Sequence, residues 1–244
     1  MNEILRRRRG LMVAQGSAPV PVHGTWEDLF RAIDDGTYAT DYSKGDTIEL
    51  NLGSALGVMQ MEISDFELDD KADGTGKAPI TLISKNFISG PSRFNPALAG
   101  DSGNYTAGTG TIGGWKESEL RGWYINTVLP AIPAAIRARI VQVIKASISF
   151  AADGTANYSE ITNDYVFCPS YRESGRLNTE SSYQNSTYTA LNTVDKRKRN
   201  AVWGVRSAFN ISNRGSISTS GSVGSSISTA ANTAVNQMLC FCVG

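Results

Sequence analysis

The side chains that could perform covalent chemistry are few in this chain. His23 is the single histidine, and the cysteines are Cys168, Cys240 and Cys242. A Ser-His-Asp or Cys-His arrangement would have to use His23 as its base. That residue follows a proline-containing stretch at residues 18–21, which favours an exposed, extended linker. Because one histidine and three scattered cysteines also provide no zinc ligand set, the sequence predicts no metal site.

Acidic side chains offer a second possible chemistry. Asp69 and Asp70 could in principle be the paired carboxylates of a glycosidase, but the pattern places them in a loop between two strands and not in a cleft. The same loop is not an EF-hand, because Lys71 occupies a calcium-ligand position and Ile80 stands where the closing glutamate belongs. A phosphate-binding GxxxxGK[ST] motif is absent from the sequence. We therefore predict a non-enzymatic protein without a cofactor.

Arginine beside large aromatic side chains is the most distinctive pattern. A guanidinium in such surroundings is costly unless it is paired and its neighbours bury apolar area. We expect Arg121 and Arg206 to be structural clamps, bonded to backbone carbonyls or to carboxylates such as Asp164 or Glu173. The predicted clamp consists of Trp115, Arg121, Trp123, Trp203 and Arg206.

The elements that must position these residues begin with a short amphipathic helix. Thr25 and Asp28 form a capping pair, and Gly36 supplies a left-handed stop. Alternating apolar residues predict strands at 46–52 and 59–63, and the apolar run 80–83 predicts a more buried strand. Further strands are expected at 164–170 and 238–243.

Two longer helices are expected in the middle of the chain. The first covers residues 116–127, with Leu120 and Trp123 facing inward. The second begins near Pro133, because isoleucines recur every four residues and proline suits a first helical turn. This helix leaves Lys145 off its apolar face. The repeating isoleucines are Ile132, Ile136, Ile140 and Ile144.

The overall charge and hydropathy exclude several classes of protein. Twenty-three basic residues balance twenty-three acidic ones, which argues against a dedicated nucleic-acid binder. The apolar run at 10–14 is too short for a signal peptide, and no segment predicts membrane insertion. The three cysteines are too few for a disulfide framework, so buried free thiols in a reducing compartment are expected.

Two polar regions are candidate contact surfaces. The basic run Arg6, Arg7, Arg8 and Arg9 lies in an extended arm over residues 1–22, and it is either a solvated tail or an anchor for an acidic partner surface. Stretches rich in glycine, serine, asparagine and tyrosine resemble adaptable binding loops. Ordinary solvated loops would have the same composition. The candidate ligand-binding residues in these loops are Tyr183, Tyr188, Asn192, Asn213 and Arg214.

Several short motifs, taken in order, resemble a known family. They are Trp115-x-x-Ser118-x-x-Arg121-x-Trp123, Leu129-Pro130-x-x-Pro133, Asp164 through Pro169-Ser170, Trp203-x-x-Arg206-Ser207 and Cys240-Phe241-Cys242-Val243. Together they resemble an uncharacterised domain family of phages and prophages of Gram-positive and gut bacteria. That family is related in architecture to C-type lectins and sulfatase-modifying-factor domains.

The resemblance implies an α+β, C-type-lectin-like domain with two helices, short antiparallel strands and long loops over residues 44–244. The arm at 1–22 and a helix with its linker at 23–43 precede it. Two departures limit what the resemblance implies about chemistry. The calcium-dependent lectin motifs are absent, and Cys240-x-Cys242 does not reproduce the copper-binding cysteine pair of sulfatase-modifying enzymes.

The function expected from these features is recognition of a host surface by a phage or prophage virion protein, associated with the tail or baseplate. Its expected partners are other virion proteins through the arm, a host cell-surface glycan or protein, and further copies of the chain in a homo-oligomer. One alternative is an architectural capsid or tail decoration, assembled through the apolar face of the Trp26 helix. A weaker alternative is an enzyme that acts on polysaccharide.

Overall fold

The structure is a computed structural model that describes residues 24–90, 92–96, 106, 108–176, 186–223 and 228–244. The predicted α+β class is confirmed: antiparallel strands dominate, helices are few, and the main sheet curls into a half-barrel. In the described residues the strands are β1 Thr47–Asn51, β2 Val58–Phe66, β3 Ile80–Ser84, β4 Ile140–Val141, β5 Val143–Phe150, β6 Ala156–Asp164, β7 Val166–Phe167, β8 Trp203–Ala208, β9 Asn213–Ile217, β10 Ser228–Ala230 and β11 Cys240–Val243.

The helices in the described part of the chain are short. They are α1 Trp26–Asp34, α2 Tyr38–Asp41, α3 Glu119–Trp123, α4 Leu129–Ala131, α5 Ala134–Arg137 and α6 Val194–Arg197, with a π-helical turn at Tyr124–Val128 and a 3-10 turn at Thr189–Leu191. The first predicted mid-chain helix is therefore present from Glu119. Its N-cap is Ser118, whose hydroxyl accepts a hydrogen bond from the Arg121 amide at 3.0 Å.

The main sheet brings the end of the chain into its centre. Its order is β1-β2-β3-β11-β4, and β7 also pairs with β11. The pairs Cys240↔Ile83 and Val243↔Ile80 set the register of β11 against β3, and both strands are buried along their whole length. Two smaller sheets, β10-β9-β8 and the hairpin β5-β6, complete the described strands. A strand buried on both faces reads as an apolar run, which is why the sequence identified β3.

Helix α1 packs against this sheet. The capping box of Thr25 and Asp28 is formed, and Gly36 has the expected positive φ of 69°. The Trp26 indole donates to the Glu49 carbonyl at 2.7 Å and stacks on Phe241 with a centroid distance of 6.2 Å. The apolar face of the helix therefore packs on its own domain, with Trp26, Phe30 and Ile33 partly buried. Assembly of copies through this face stays a prediction.

The prediction of a second mid-chain helix is wrong. Only Ala134–Arg137 is helical, and Ile140 and Ile144 lie in β4 and β5. A spacing of four residues places side chains on one face of a helix, but four is also a multiple of the strand period, so the isoleucine pattern fits both. The run from Ile140 to Ile144 is mostly β-branched, and β-branched residues pack better in strands. The strand turns Lys145, expected off the apolar face, into the core.

Candidate functional site

A group of charged side chains lies inside the domain. Lys145 on β5 contacts Asp69, from the connection between β2 and β3, and lies 3.2 Å from Glu173, which follows β7. The Tyr188 hydroxyl is 2.8 Å from Lys145 Nζ, and the Phe167 ring centre is 4.3 Å from it. All these side chains are at most 2% exposed. We call Lys145, Asp69, Glu173, Tyr188 and Arg206 the buried charge network.

Arg206 completes this network from β8. Its guanidinium binds Glu173 through two parallel bonds, Nη1 to Oε2 at 2.5 Å and Nη2 to Oε1 at 2.9 Å. It also donates to the Cys168 carbonyl at 2.7 Å and to the Ala146 carbonyl at 3.1 Å. The carboxylate and the carbonyls are the partners that the sequence predicted for this arginine. The forked arrangement compensates the buried charge and fixes three segments relative to one another.

The charges of the network shift one another's pKa. Burial alone would raise the pKa of Glu173, but Arg206 and Lys145 together lower it to about 2. Burial alone would lower the pKa of Lys145, but the carboxylates of Asp69 and Glu173 raise it. Both groups therefore carry their charges at neutral pH, as expected for a compensated cluster.

The first arginine motif forms a second, smaller cluster. Arg121 Nε donates to Asp164 Oδ1 at 2.7 Å, and the Trp115 indole donates to Asp164 Oδ2 at 2.8 Å. Trp115 is fully buried, whereas the Arg121 side chain is 22% exposed. Trp123 is partly buried and meets Tyr124 edge to face at 5.2 Å. The carboxylate predicted for Arg121 is thus its observed partner.

Arg214 was expected in a binding loop but is fully buried on β9. Its Nη2 donates to the Val205 carbonyl at 2.9 Å and to Gln237 at 3.2 Å, and its guanidinium lies 5.3 Å from the centre of the Phe94 ring. Burial lowers its pKa. The expectation of a surface position is wrong, because a strand that reads as polar in sequence is enclosed by the core.

The other loop candidates are scattered. Tyr188 is fully buried in the charge network, so the expectation that it lies on a surface loop is also wrong. Asn192 is exposed beside the 3-10 turn, and Asn213 is partly buried at the start of β9. Tyr183 and the arm residues Arg6, Arg7, Arg8 and Arg9 lie outside the described residues. Trp203 of the predicted clamp is fully buried and donates to the Arg197 carbonyl at 3.3 Å.

All three cysteines are buried, as predicted, and each is a free thiol. Burial raises the pKa of Cys168 to about 11 and raises those of Cys240 and Cys242 well above the usual value. Since the thiolate is the reactive form, these thiols are poor nucleophiles at neutral pH. Within the described ranges, His, Cys, Asp and Glu side chains do not gather in threes that could hold a metal ion.

An aromatic pocket opens at the surface where β5, β6 and β8 meet. It has a volume of about 200 Å³. Two tyrosines line it: Tyr158 is 55% exposed, while Tyr171 is fully buried with the Arg176 guanidinium 4.7 Å from its ring centre. A pocket of aromatic walls with one cation suits an organic ligand that presents a flat apolar face and an acceptor. The aromatic pocket is lined by Ile148, Phe150, Tyr158, Tyr171, Arg176, Ala208 and Phe209.

The sequence did not predict the aromatic pocket, nor the place of Lys145, Asp69 and Tyr188 in the buried charge network. Asp69 carried no signal, because a loop aspartate between strands is ordinarily solvated. Correct assignment of β5 would have shown that Lys145 is buried, because it lies on the same strand face as Val143 and Ser147. Two of the residues predicted to bind ligand adjoin the pocket: the Asn213 carbonyl accepts from the Phe209 amide at 2.8 Å, and Arg214 pairs with Ala208 across β8 and β9.

Among the described helices, none has the length and apolar character needed to cross a membrane. Comparisons with curated proteins and with solved structures give no match. A family model does match, over residues 80–240, which is more than half of the chain and includes both arginine motifs, Glu173 and the pocket. On this evidence the chain belongs to DUF6273, a domain family of unknown function.

Proposed function

We propose that this protein is a non-enzymatic recognition protein of a phage or prophage particle, and that the aromatic pocket is its contact with a host-surface ligand. The observation that carries the proposal is the pocket itself. Tyrosine and arginine are the residues most enriched at binding hot spots, and here they line one concave surface. The assignment to a phage or prophage particle and the proposed relationship to lectins rest on the sequence motifs.

The scaffold supports this role. Tyr171 is held from behind by Gly215, where any Cβ would collide with the tyrosine ring. The buried charge network fixes the segment that carries Tyr171, because Glu173 lies two residues further along the chain. A wall fixed in advance loses little conformational entropy when a ligand binds, which favours affinity.

A surface glycan is the ligand class that the pocket fits best. The rings of Tyr158 and Phe209 offer apolar faces for a sugar ring, and Arg176 adds a positive charge that favours an acidic sugar. The pocket volume of about 200 Å³ is below the usual range for drug-sized ligands and suits one terminal residue of a larger molecule.

The test is binding of purified protein to host cells and to isolated surface glycans. We expect Tyr158→Ala to weaken binding about tenfold or more, which is the usual effect of truncating a hot-spot aromatic side chain. The matched control is Tyr165→Ala, because Tyr165 is a tyrosine of similar exposure, 45%, that does not line the pocket. Equal affinity of both variants and the unmodified protein would exclude the pocket as the contact.

An architectural role without a receptor is the second candidate. Hairpin strand β6 pairs only with β5 in the described residues, and its Ile161 is 45% exposed, as is Tyr165 directly after the strand. A long edge strand with exposed apolar side chains is a template for pairing with another copy. If the protein has this role, sedimentation should show a homo-oligomer, and Ile161→Lys should dissociate it. Incorporation into particles should not depend on Tyr158.

Deleting residues 1–22 separates the roles of arm and domain. Recognition predicts that the deleted protein still binds cells but no longer enters particles. Decoration predicts a domain that binds no host component. Turnover of host polysaccharide by the purified protein would support the third possibility, an enzyme.

A further inference from the structure

We propose that Lys145 and Asp69 become joined by an intramolecular isopeptide bond, formed between Lys145 Nζ and Asp69 Cγ with loss of one water molecule. The two residues are 76 positions apart in the chain, so the bond would tie the β2–β3 connection covalently to β5. It would lie in the interior, independent of the aromatic pocket and of any ligand.

The first requirement is an amine and a carboxyl group held together away from water. Lys145 Nζ contacts Asp69 Oδ1 directly, Lys145 is fully buried and Asp69 is 2% exposed. The Phe167 ring, 4.3 Å from Nζ, covers one side of the amine. Two groups held in contact react as if each were present at an effective concentration of about 10⁵–10⁸ M. Exclusion of water prevents hydrolysis of the amide once it has formed.

The second requirement is stabilisation of the negative oxygen that forms when nitrogen attacks the carboxyl carbon. Asp69 Oδ2 has three groups around it that can donate a hydrogen. Thr81 Oγ1 lies at 2.7 Å, while the Tyr188 hydroxyl and Cys242 Sγ each lie at 3.3 Å. Fixed donors aimed at one oxygen form the kind of site that stabilises a tetrahedral oxyanion.

The third requirement is a group that moves protons. Glu173 Oε1 lies 3.2 Å from Lys145 Nζ and carries a negative charge, because Arg206 binds its carboxylate on two sides. The Tyr188 hydroxyl is 3.2 Å from Glu173 Oε1, which connects the base with the Asp69 side of the site. Glu173 is thus placed to act as a general base towards the amine.

The reaction balances without any external reagent. The Lys145 ammonium transfers a proton to Asp69 Oδ1, and the resulting neutral amine attacks Cγ to form the carbon–nitrogen bond. Glu173 accepts a proton from the nitrogen and returns it to the Oδ1 hydroxyl, which leaves as water when the carbon–oxygen bond breaks. One ammonium and one carboxylate are converted into one amide and one water. The raised pKa of Lys145 makes the neutral amine a minor species, so we expect a slow reaction that is completed after folding.

Mass spectrometry of the intact, denatured full chain tests the proposal. We expect a mass below that calculated from the sequence by one water, and a protease digest that yields a single branched peptide containing Lys145 and Asp69. The internal control is the partly exposed pair Lys44–Asp65, whose Nζ–Oδ1 distance is 2.8 Å. Its peptides should be recovered unlinked. The calculated mass without a deficit, or a link between other residues, overturns the proposal.

Variants test the chemistry. Lys145→Arg keeps the cation but should restore the full calculated mass, and a persistent deficit would contradict the assignment. Asp69→Asn should lose ammonia in place of water and give the same branched peptide. If either variant fails to fold, the intact mass and the digest of the unmodified chain still show whether the Lys145–Asp69 bond is present.

Discussion

Arg206 shows how one side chain can organise a core. Its guanidinium, on β8, contacts the Ser147 hydroxyl on β5, and the Cys168 carbonyl and Glu173 carboxylate in the stretch after β7, so it joins three segments. Isolated buried ions are very unfavourable, so the arrangement is stable only while every partner is present. Loss of one member leaves the others buried without compensation.

Replacing Arg206 should therefore be strongly destabilising. We expect Arg206→Met to lower the free energy of unfolding by about 3–5 kcal/mol, because Glu173 would remain buried without the guanidinium that binds both of its oxygens. Urea unfolding followed by circular dichroism measures this. The control is Arg93→Ala, which removes an exposed ion pair with Glu119 and should cost about 0–1 kcal/mol. Similar losses of stability in both variants would show that burial of the Arg206–Glu173 pair does not increase its contribution to stability.

Glu173 also predicts how stability depends on pH. Its pKa is about 2 in the folded protein and about 4.3 in an unfolded chain. A lowered folded pKa stabilises the protein above the unfolded pKa, and this contribution disappears as the pH falls towards 2. We expect a loss of roughly 3 kcal/mol over that interval. In Glu173→Gln this part of the acid dependence should be missing when unfolding is measured at several pH values, whereas an unchanged profile would contradict the assignment.

At the scale of elements, local rules explain α1 fully. The Thr25 hydroxyl accepts the Asp28 amide at 3.2 Å, and the Asp28 carboxylate accepts the Thr25 amide at 3.1 Å. The same local rules fail at β4 and β5, where the neighbouring strands and not the residue spacing decide the structure. Helices as short as those in this chain depend on packing for their stability.

The cap of α1 gives a measurable effect. Thr25→Ala should lower the free energy of unfolding by about 1 kcal/mol, because it leaves a helix amide without a partner. Thr37 begins α2 but its side chain makes no capping bond to the helix backbone. Thr37→Ala is therefore the matched control, and it should lower the free energy of unfolding less than Thr25→Ala does. Thermal unfolding of both variants measures this. Equal losses would mean that the cap has no role of its own.

At the scale of the whole molecule, the folded unit extends beyond the matched family region. The match begins at residue 80, where β3 begins, yet β2 pairs with β3 from Met61 to Phe66. Leu50, Met59 and Ile63, on β1 and β2, are buried in the same core. The half-barrel thus requires residues that the family model does not include.

Truncation tests this boundary. We expect the full chain and a fragment of residues 24–244 each to unfold in one cooperative transition, because both keep the whole sheet. A fragment of residues 80–244 should lose cooperative unfolding, since β3 becomes an uncovered edge and the core loses one layer. Calorimetry and near-ultraviolet circular dichroism distinguish the two. Cooperative unfolding of the shorter fragment would show that β1 and β2 are an accessory.

The sequence by itself determined helix α1, strands β1 to β3 and the carboxylate partners of Arg121 and Arg206. These features depend on caps, on periodicity and on the cost of burying an unpaired guanidinium, all of which are local or nearly so. Only the tertiary structure decided that Lys145, Asp69 and Tyr188 meet in the interior and that an aromatic pocket forms beside β6. Those contacts join distant segments, and periodicity reports which face of an element is buried but not which other element covers it.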